Sequence, residues 1–142
     1  MTASLGVAVF NAHRRYRIRS QPIVKYVRRV LMKERRRKAD VSIVFVDARS
    51  IRRLNREYLG HDFGTDVLSF CLEKKGILEG EVYVSLDSAR QQARRYHVAF
   101  SNEVARLVIH GTLHLVGYDD GRPQQAKKMK KVEEAHLLHW FS

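Results

Sequence analysis

Only one cysteine, Cys71, stands in the 142 residues. A lone thiol has no partner for an internal disulfide, and the expected setting is a reducing one, the cytoplasm. It follows an apolar, strand-like run, so a buried and inert thiol is expected rather than a nucleophile. Long apolar runs are missing too: none approaches the roughly 20 residues of a membrane span, and no membrane partner is expected. No secretory leader is visible. Val7 to Phe10 is too short for its apolar region, and the positive charge follows that stretch instead of preceding it. The acid-poor, arginine-rich start has the composition of a mitochondrial transit peptide, yet it also reads as strand, turn and helix of the domain itself. No repeat, low-complexity tract or linker divides the chain, so one domain is expected over residues 1–142.

Acidic residues are the other shortage. Fifteen Asp and Glu face 27 Lys and Arg, for a net charge of +12, and the first acidic residue is Glu34. Residues 1–40 hold twelve basic and two acidic side chains. Such a balance favours a polyanionic partner, RNA or DNA ahead of an anionic membrane. A run of charge is usually a solvated helix face. The lopsidedness of this one argues instead for phosphate contact, with Arg28, Arg29, Arg35 and Arg36 as the candidates.

Periodicity divides the chain into short elements. Residues 5–11 read as a strand. Ser20-Gln21-Pro22 opens a helix to about Arg36, with Ile23, Val24, Val27, Val30 and Leu31 at helical spacing. Val41 to Val46 is a strand, and Asp47 to Tyr58 a helix with Ile51, Leu54 and Tyr58 inward. After the loop 60–64, strands are expected at 66–72 and 80–86. Asp87 caps a helix to about Tyr96, Ser101 offers a cap for the next, and Gln124 to Trp140 is the last. Four strands among about five helices imply an α+β, single-domain layered sandwich around a small mixed sheet.

The densest chemistry lies at residues 110–120, His-Gly-Thr-Leu-His-Leu-Val-Gly-Tyr-Asp-Asp. His110 and His114 are four apart, so both leave one face of a helix. Gly117 suits a helix end, since glycine accepts the left-handed geometry found there. The chain can then return and bring Asp119 or Asp120 to the imidazoles. Two nitrogens, one oxygen and an open fourth position are a common way to hold catalytic zinc. The alternative, one buried and one surface histidine on an ordinary helix, fits poorly with the apolar neighbours Val104, Leu107, Val108, Leu113, Leu115 and Val116. Gly111, beside the first histidine, leaves space on the helix surface.

This stretch resembles the signature of the YbeY family, metal-dependent endoribonucleases of ribosomal RNA maturation. Two further blocks agree in order: Leu54-Asn55-Arg56-Glu57-Tyr58 with Thr65-Asp66-Val67-Leu68-Ser69-Phe70, and Gly80-Glu81-Val82-Tyr83-Val84-Ser85. The resemblance runs from about residue 41 to the C-terminus and is weak before it. It implies His110, His114 and Asp120 as ligands of one Zn2+ per chain. Asp120 stands where the family usually has a third histidine, and zinc accepts a carboxylate there; Asp119 competes for the role. The family's arginine after the tyrosine is Leu59 here. Arg56, one turn away, is the candidate substitute and a further RNA contact. The resemblance also places His61 and Asp62 in a loop near the site, where they are candidates for substrate contact as much as for a plain solvated loop. His136 and His139 are read as surface or partly buried residues, not a second metal site. His13 and His97 carry no readable signal.

The expected activity is therefore metal-dependent endoribonuclease action on single-stranded RNA, by a zinc-activated water on the phosphodiester. By resemblance its place is 16S rRNA 3′-end maturation and ribosome quality control, with ribosomal RNA precursor and ribosomal subunit proteins as partners. An RNA-binding ribosome-assembly protein with a structural metal is the alternative from another class. A metallopeptidase-like hydrolase fits less well, because Gly111 occupies the place of the base in His-Glu-x-x-His.

Overall fold

Strand β2 (Lys38–Val46) is apolar along one face and at the C-terminal end of the other, and the molecule is layered about it. Ala39, Val41, Ile43 and Phe45 are buried on one face; on the other Val46 is buried and Val44 half-buried. A strand covered on both faces belongs inside a sheet. β2 pairs in parallel with β1 (Ser4–Asn11) on one side and with β4 (Ile77–Ser85) on the other; β3 (Val67–Lys74) runs antiparallel at the far edge, giving the order β1-β2-β4-β3. This computed structural model describes residues 4–141; the ends of the expected domain, residues 1–3 and 142, lie outside them. The hairpin between β3 and β4 turns on Lys75 and Gly76, both at positive φ (52° and 76°), as a two-residue turn of the primed type requires.

Parallel neighbours need crossovers. Helix α1 (Ser20–Lys33) connects β1 to β2, and α2 (Ala48–Leu59) leaves β2 toward the hairpin. The remaining helices are α3 (Leu86–Tyr96), α4 (Phe100–Leu115) and α5 (Pro123–Trp140). α1, α3, α4 and α5 share the main core with one face of the sheet. α2 covers part of the other face through Ile51 and Leu54, against Val46, Leu68 and Phe70. The expected α+β sandwich, with a mixed four-stranded sheet and five helices, is the architecture found.

α4 approaches the sheet closely because two glycines meet there. A Cβ on Gly111 would overlap Val82 and lie 3.0 Å from Val67 Cγ2; one on Gly80 would lie 2.7 Å from Leu115 Cδ1. Ser69 donates its hydroxyl to the Gly111 carbonyl at 2.8 Å, tying β3 to the helix at the same level.

Several local expectations are corrected. α1 ends at Lys33 rather than Arg36, where Arg35 takes φ 63°. α3 is capped by Ser85, whose side chain accepts from the Ser88 N–H; Asp87 lies in the first turn and accepts from Ala48 N–H instead. α4 starts at Phe100 with Ala99 in the cap position, so Ser101 is inside the helix. Tyr58 is 67% exposed and not part of the inner stripe. Cys71 is exposed, not buried, because β3 is an edge strand. Partial desolvation of its sulfur, with Glu73 nearby, still raises its pKa, which disfavours the thiolate.

Candidate metal centre

α4 is buried on nearly every side, with Arg106, His110 and His114 forming its one less buried stripe at a spacing of four. The helix ends as a Schellman motif: Tyr118 N–H bonds to the Leu113 carbonyl at 3.0 Å and Gly117 N–H to the His114 carbonyl at 3.2 Å, with Gly117 at φ 107°. The positive φ turns the chain back over the stripe. Asp120 Oδ2 then lies 3.5 Å from His110 Nε2 and 3.7 Å from His114 Nε2, while the two Nε2 atoms are 3.2 Å apart. Asp119 points elsewhere, accepting the N–H groups of Asp120 and Gly121 on Oδ1.

Hydrogen bonding assigns the tautomers. His110 Nδ1 is 2.7 Å from Glu133 Oε1, and His114 Nδ1 is 3.0 Å from the Tyr118 carbonyl oxygen. Both partners only accept, so each Nδ1 carries the proton and donates. Nε2 is then the nitrogen that each ring turns to the centre, and a lone-pair donor in the ring's neutral form. Two Nε2 atoms and a carboxylate oxygen face one another across the centre. A cation resolves that arrangement. Tetrahedral zinc with bonds of 2.0–2.1 Å requires donors roughly 3.3 Å apart, close to the three separations found. The donor set fits a metal ion.

The surroundings carry the same sign. Burial opposes charge on His110, but the Glu133 hydrogen bond and the charges of Glu133, Asp120 and Asp66 outweigh it and raise its pKa. A field that favours a proton there favours a metal cation too. Glu133 is buried and paired with Arg106, which also holds the buried Glu103. Those hydrogen bonds, Glu103's first, raise the guanidinium pKa further, so Arg106 is a permanent positive charge beside Glu133. Gln92 joins Arg106 to Asp66. A cavity of about 270 Å³ opens beside His110 and Asp120, with Lys130 and Glu133 of α5 on its wall.

The arginines expected to meet RNA are not gathered here. Arg28 donates to the Leu5 carbonyl and Arg29 to that of His139, stitching α1 to β1 and α5. Arg36 pairs with Glu73 at 2.6 Å and reaches the Val116 carbonyl at 3.4 Å, near the end of α4. Arg35 is exposed. Arg56 lies on α2, 4.0 Å from Asp62, which Arg52 also holds. His61 stacks on Phe63 in the same exposed loop. Among the described residues, no hydrogen bond or ion pair joins Arg56, His61 or Asp62 to the triad.

Motif reading missed Glu133, the Tyr118 carbonyl and Lys130. A signal for Glu133 was present, since it stands between Met129 and His136 on the buried stripe of α5. Lys130 belongs to Lys127, Lys128, Lys130 and Lys131, a basic run as legible as that of α1. His13 proves structural: its Nδ1 accepts from Arg15 and Tyr16 N–H, so Nε2 donates to Asp87. His97 is the left-handed cap of α3.

Fold and site together define an α+β protein with a histidine-pair helix and a returning carboxylate that could hold a metal ion beside an open cavity. A family model described as Endoribonuclease YbeY matches residues 8–140, and the chain belongs to that family. Its expected enzyme class, a nuclease that hydrolyses phosphodiester bonds, is the class of this family. The match includes the second half of β1 and all of α1, where motif resemblance had faded. Endoribonuclease YbeY of Salinibacter ruber is 45% identical over 107 residues, 68% of each chain. That of Chlorobium phaeovibrioides is 40% identical over 113 residues, 80% of this chain and 76% of its own. That of Chlorobium phaeobacteroides strain DSM 266 is 34% identical over 139 residues, 98% and 97% of the two chains. The solution structure of a Thermotoga maritima protein is similar with a TM-score of 0.61 at 26% identity, covering 94% of this chain and 91% of the other. Among the described residues, no helix is long and apolar enough to cross a membrane.

Proposed function

We propose that this chain is a zinc-dependent endoribonuclease that cuts single-stranded RNA in the cytoplasm, in 16S rRNA 3′-end maturation and ribosome quality control, with ribosomal subunit proteins as neighbours. His110, His114 and Asp120 are its metal ligands. The observation that carries this reading is the convergence of two Nε2 lone pairs and Asp120 Oδ2 beside an open cavity. Zinc in such a site supplies Lewis acidity to a phosphoryl oxygen and draws the pKa of water toward about 7.

The protein's own groups do the rest. Glu133, paired with Arg106, accepts a hydrogen bond from Nδ1 of His110 and aims Nε2. The Tyr118 carbonyl does the same for His114. Lys130 offers a cation on the cavity wall for non-bridging phosphate oxygens, while Arg106 is already taken by two carboxylates. A net charge of +12 gathers the polyanion over the whole surface. The metallopeptidase alternative loses ground for a steric reason: position 111 is pressed against Val82, so no base can stand there.

One observation favours the second reading, a ribosome-assembly protein with a structural metal: Leu59 stands where the family commonly has an arginine. The cavity reaching His110 and Asp120 argues for the enzyme, since structural zinc sites are closed by a fourth protein ligand. Elemental analysis of protein purified without chelators, run beside cleavage of a ribosomal RNA precursor with His114→Ala as control, tests the proposal. One zinc per chain and cleavage that His114→Ala abolishes are expected. Metal without cleavage selects the assembly protein, and no metal uptake rejects the site.

A further inference from the structure

His136 and Glu34 belong neither to the metal triad nor to the basic surface, yet both are drawn into the fold. His136 of α5 is 6% exposed, and its Nε2 lies 2.8 Å from Glu34 Oε2. Glu34 is the C-cap residue of α1. Its other oxygen accepts the Tyr118 phenol at 2.8 Å. The Tyr118 carbonyl in turn accepts from Nδ1 of His114. A continuous path therefore runs from α5 and α1 through one tyrosine to a ligand histidine.

Tyr118 has a second consequence for the centre. It is the residue at which the chain leaves α4, and Asp120 follows two positions later. Its N–H is fixed by the Leu113 carbonyl and its side chain by Glu34. After it, Asp119 Oδ1 bonds the N–H groups of Asp120 and Gly121, which shapes the loop without tying it to the body of the protein. The phenol thus anchors the root of the segment that delivers the carboxylate. Glu34 can serve both neighbours because a carboxylate has two accepting oxygens, one for the phenol O–H and one for an imidazole N–H.

We propose that Glu34, Tyr118 and His136 form a positioning clamp for the metal centre, setting the direction of the carbonyl that orients His114 and the approach of the loop that carries Asp120. The proposal rests on the assignment of His110, His114 and Asp120 as ligands. None of the three clamp side chains belongs to the triad or lines the cavity beside it. They act by cutting down the conformations that the ligands explore. Partners that orient ligating histidines typically contribute about 10- to 100-fold to metal affinity, and a loss of that size is expected when the clamp is broken.

The test is a zinc titration of metal-stripped full-length protein against a chromophoric chelator, with thermal unfolding of the same metal-free samples. Wild type binds one ion. Tyr118→Phe, which removes one oxygen and keeps the ring and carbonyl, binds about 10-fold or more weakly, and so does Glu34→Ala. Glu34→Gln restores most of the affinity, because its carbonyl accepts the phenol and its amide can donate to a His136 that has changed tautomer. Ile23→Ala, a cavity in the buried face of α1 in its first turn and three turns from Glu34, lowers the melting temperature and leaves zinc affinity unchanged. If Glu34→Ala does not fold, Tyr118→Phe alone decides. Wild type without zinc uptake overturns the ligand assignment and the clamp together. Zinc binding by wild type, with Tyr118→Phe equally tight, overturns the clamp alone. Equal affinity losses in Ile23→Ala and Tyr118→Phe also overturn it, since general destabilisation then explains both.

Discussion

Replacing Gly111 by alanine probes the contact that seats the histidine helix. The added Cβ would overlap Val82 Cγ1 and come to 3.0 Å from Val67 Cγ2 and 3.2 Å from Ser69 Oγ. Carbon atoms rest at roughly 3.5–4.0 Å, so α4 must lift from the sheet by about 1 Å or Val82 must move. Val82 is fully buried, and close-packed interiors leave little room for a side chain to turn. Alanine gains about 1 kcal/mol of helix propensity over glycine. Overpacking costs roughly 1–3 kcal/mol, and weakening the Ser69 bond to the Gly111 carbonyl costs about 1 kcal/mol more. The expected net effect is a destabilisation of about 1–3 kcal/mol, or very roughly 4 °C in melting temperature per kcal/mol at this size. Thermal unfolding of metal-free protein, followed by circular dichroism, measures it. Val82→Ala opens the space that the new methyl needs, so the double variant should be more stable than the sum of the singles by about 1 kcal/mol or more. Zinc affinity should fall in Gly111→Ala, because lifting α4 carries His110 and His114 with it. A Gly111→Ala protein as stable as wild type, with additive behaviour toward Val82→Ala, would falsify the close-approach argument.

Asp120→Ala should weaken zinc binding and abolish cleavage with the fold retained, whereas Asp120→His should restore binding and move the alkaline rise of the pH–rate profile to lower pH, since a neutral ligand leaves more positive charge on the metal. Asp119→Ala should be milder, acting only through the loop; if it loses the metal while Asp120→Ala keeps it, the ligand is Asp119. RNA affinity should fall steeply with salt, and reversing Arg28, Arg29, Arg35 and Arg36 to glutamate should flatten the slope. Lys130→Gln should lower the slope by about 1 and slow cleavage; salt-independent wild-type binding contradicts the electrostatic reading. Asp47, the N-cap of α2, has its pKa lowered by the hydrogen bonds from Ser50. Its folded value lies below the unfolded one, so its stabilisation is present above about pH 3.9 and is lost as pH falls through the folded value. Asp47→Ala should cost about 1 kcal/mol at pH 7, and urea unfolding should show the gap to wild type closing in acid; a gap that stays constant to pH 2 rules out the charged cap.

The histidine helix was legible because everything that makes it is local. An i, i+4 pair, a glycine at positive φ and a carboxylate three residues beyond it are statements about one turn and one reversal, and backbone geometry alone relates them. The strands of the sheet were legible for the same reason, through alternation. Caps were less so. Asp87 and Ser101 have good capping chemistry, but Asp87 is claimed by His13 and Ala48 from other elements, and Ser85 and Ala99 hold the boundary positions. Tyr58 keeps helical register with Ile51, yet its ring meets only the edge of Phe70 and stays exposed, because α2 covers just part of its face of the sheet. Cys71 follows an apolar run and would be buried in a central strand; β3 is at the edge.

Composition and short-range spacing by themselves determined the α+β class, the basic character, the pair of histidines and the carboxylate that can return to them. Each depends on residues within about ten positions of one another or on sums over the chain. Only the tertiary structure decided which nitrogen of each histidine faces the centre. That depends on Glu133 from α5, 23 residues from His110, and on a carbonyl whose tyrosine is held by Glu34, 84 residues away. It also decided that Arg28, Arg29 and Arg36 bond to the protein's own groups while Lys130 lines the cavity. A charged side chain's sign is written in the sequence, but its partner is whichever acceptor the packing of helices on the sheet brings within hydrogen-bond reach.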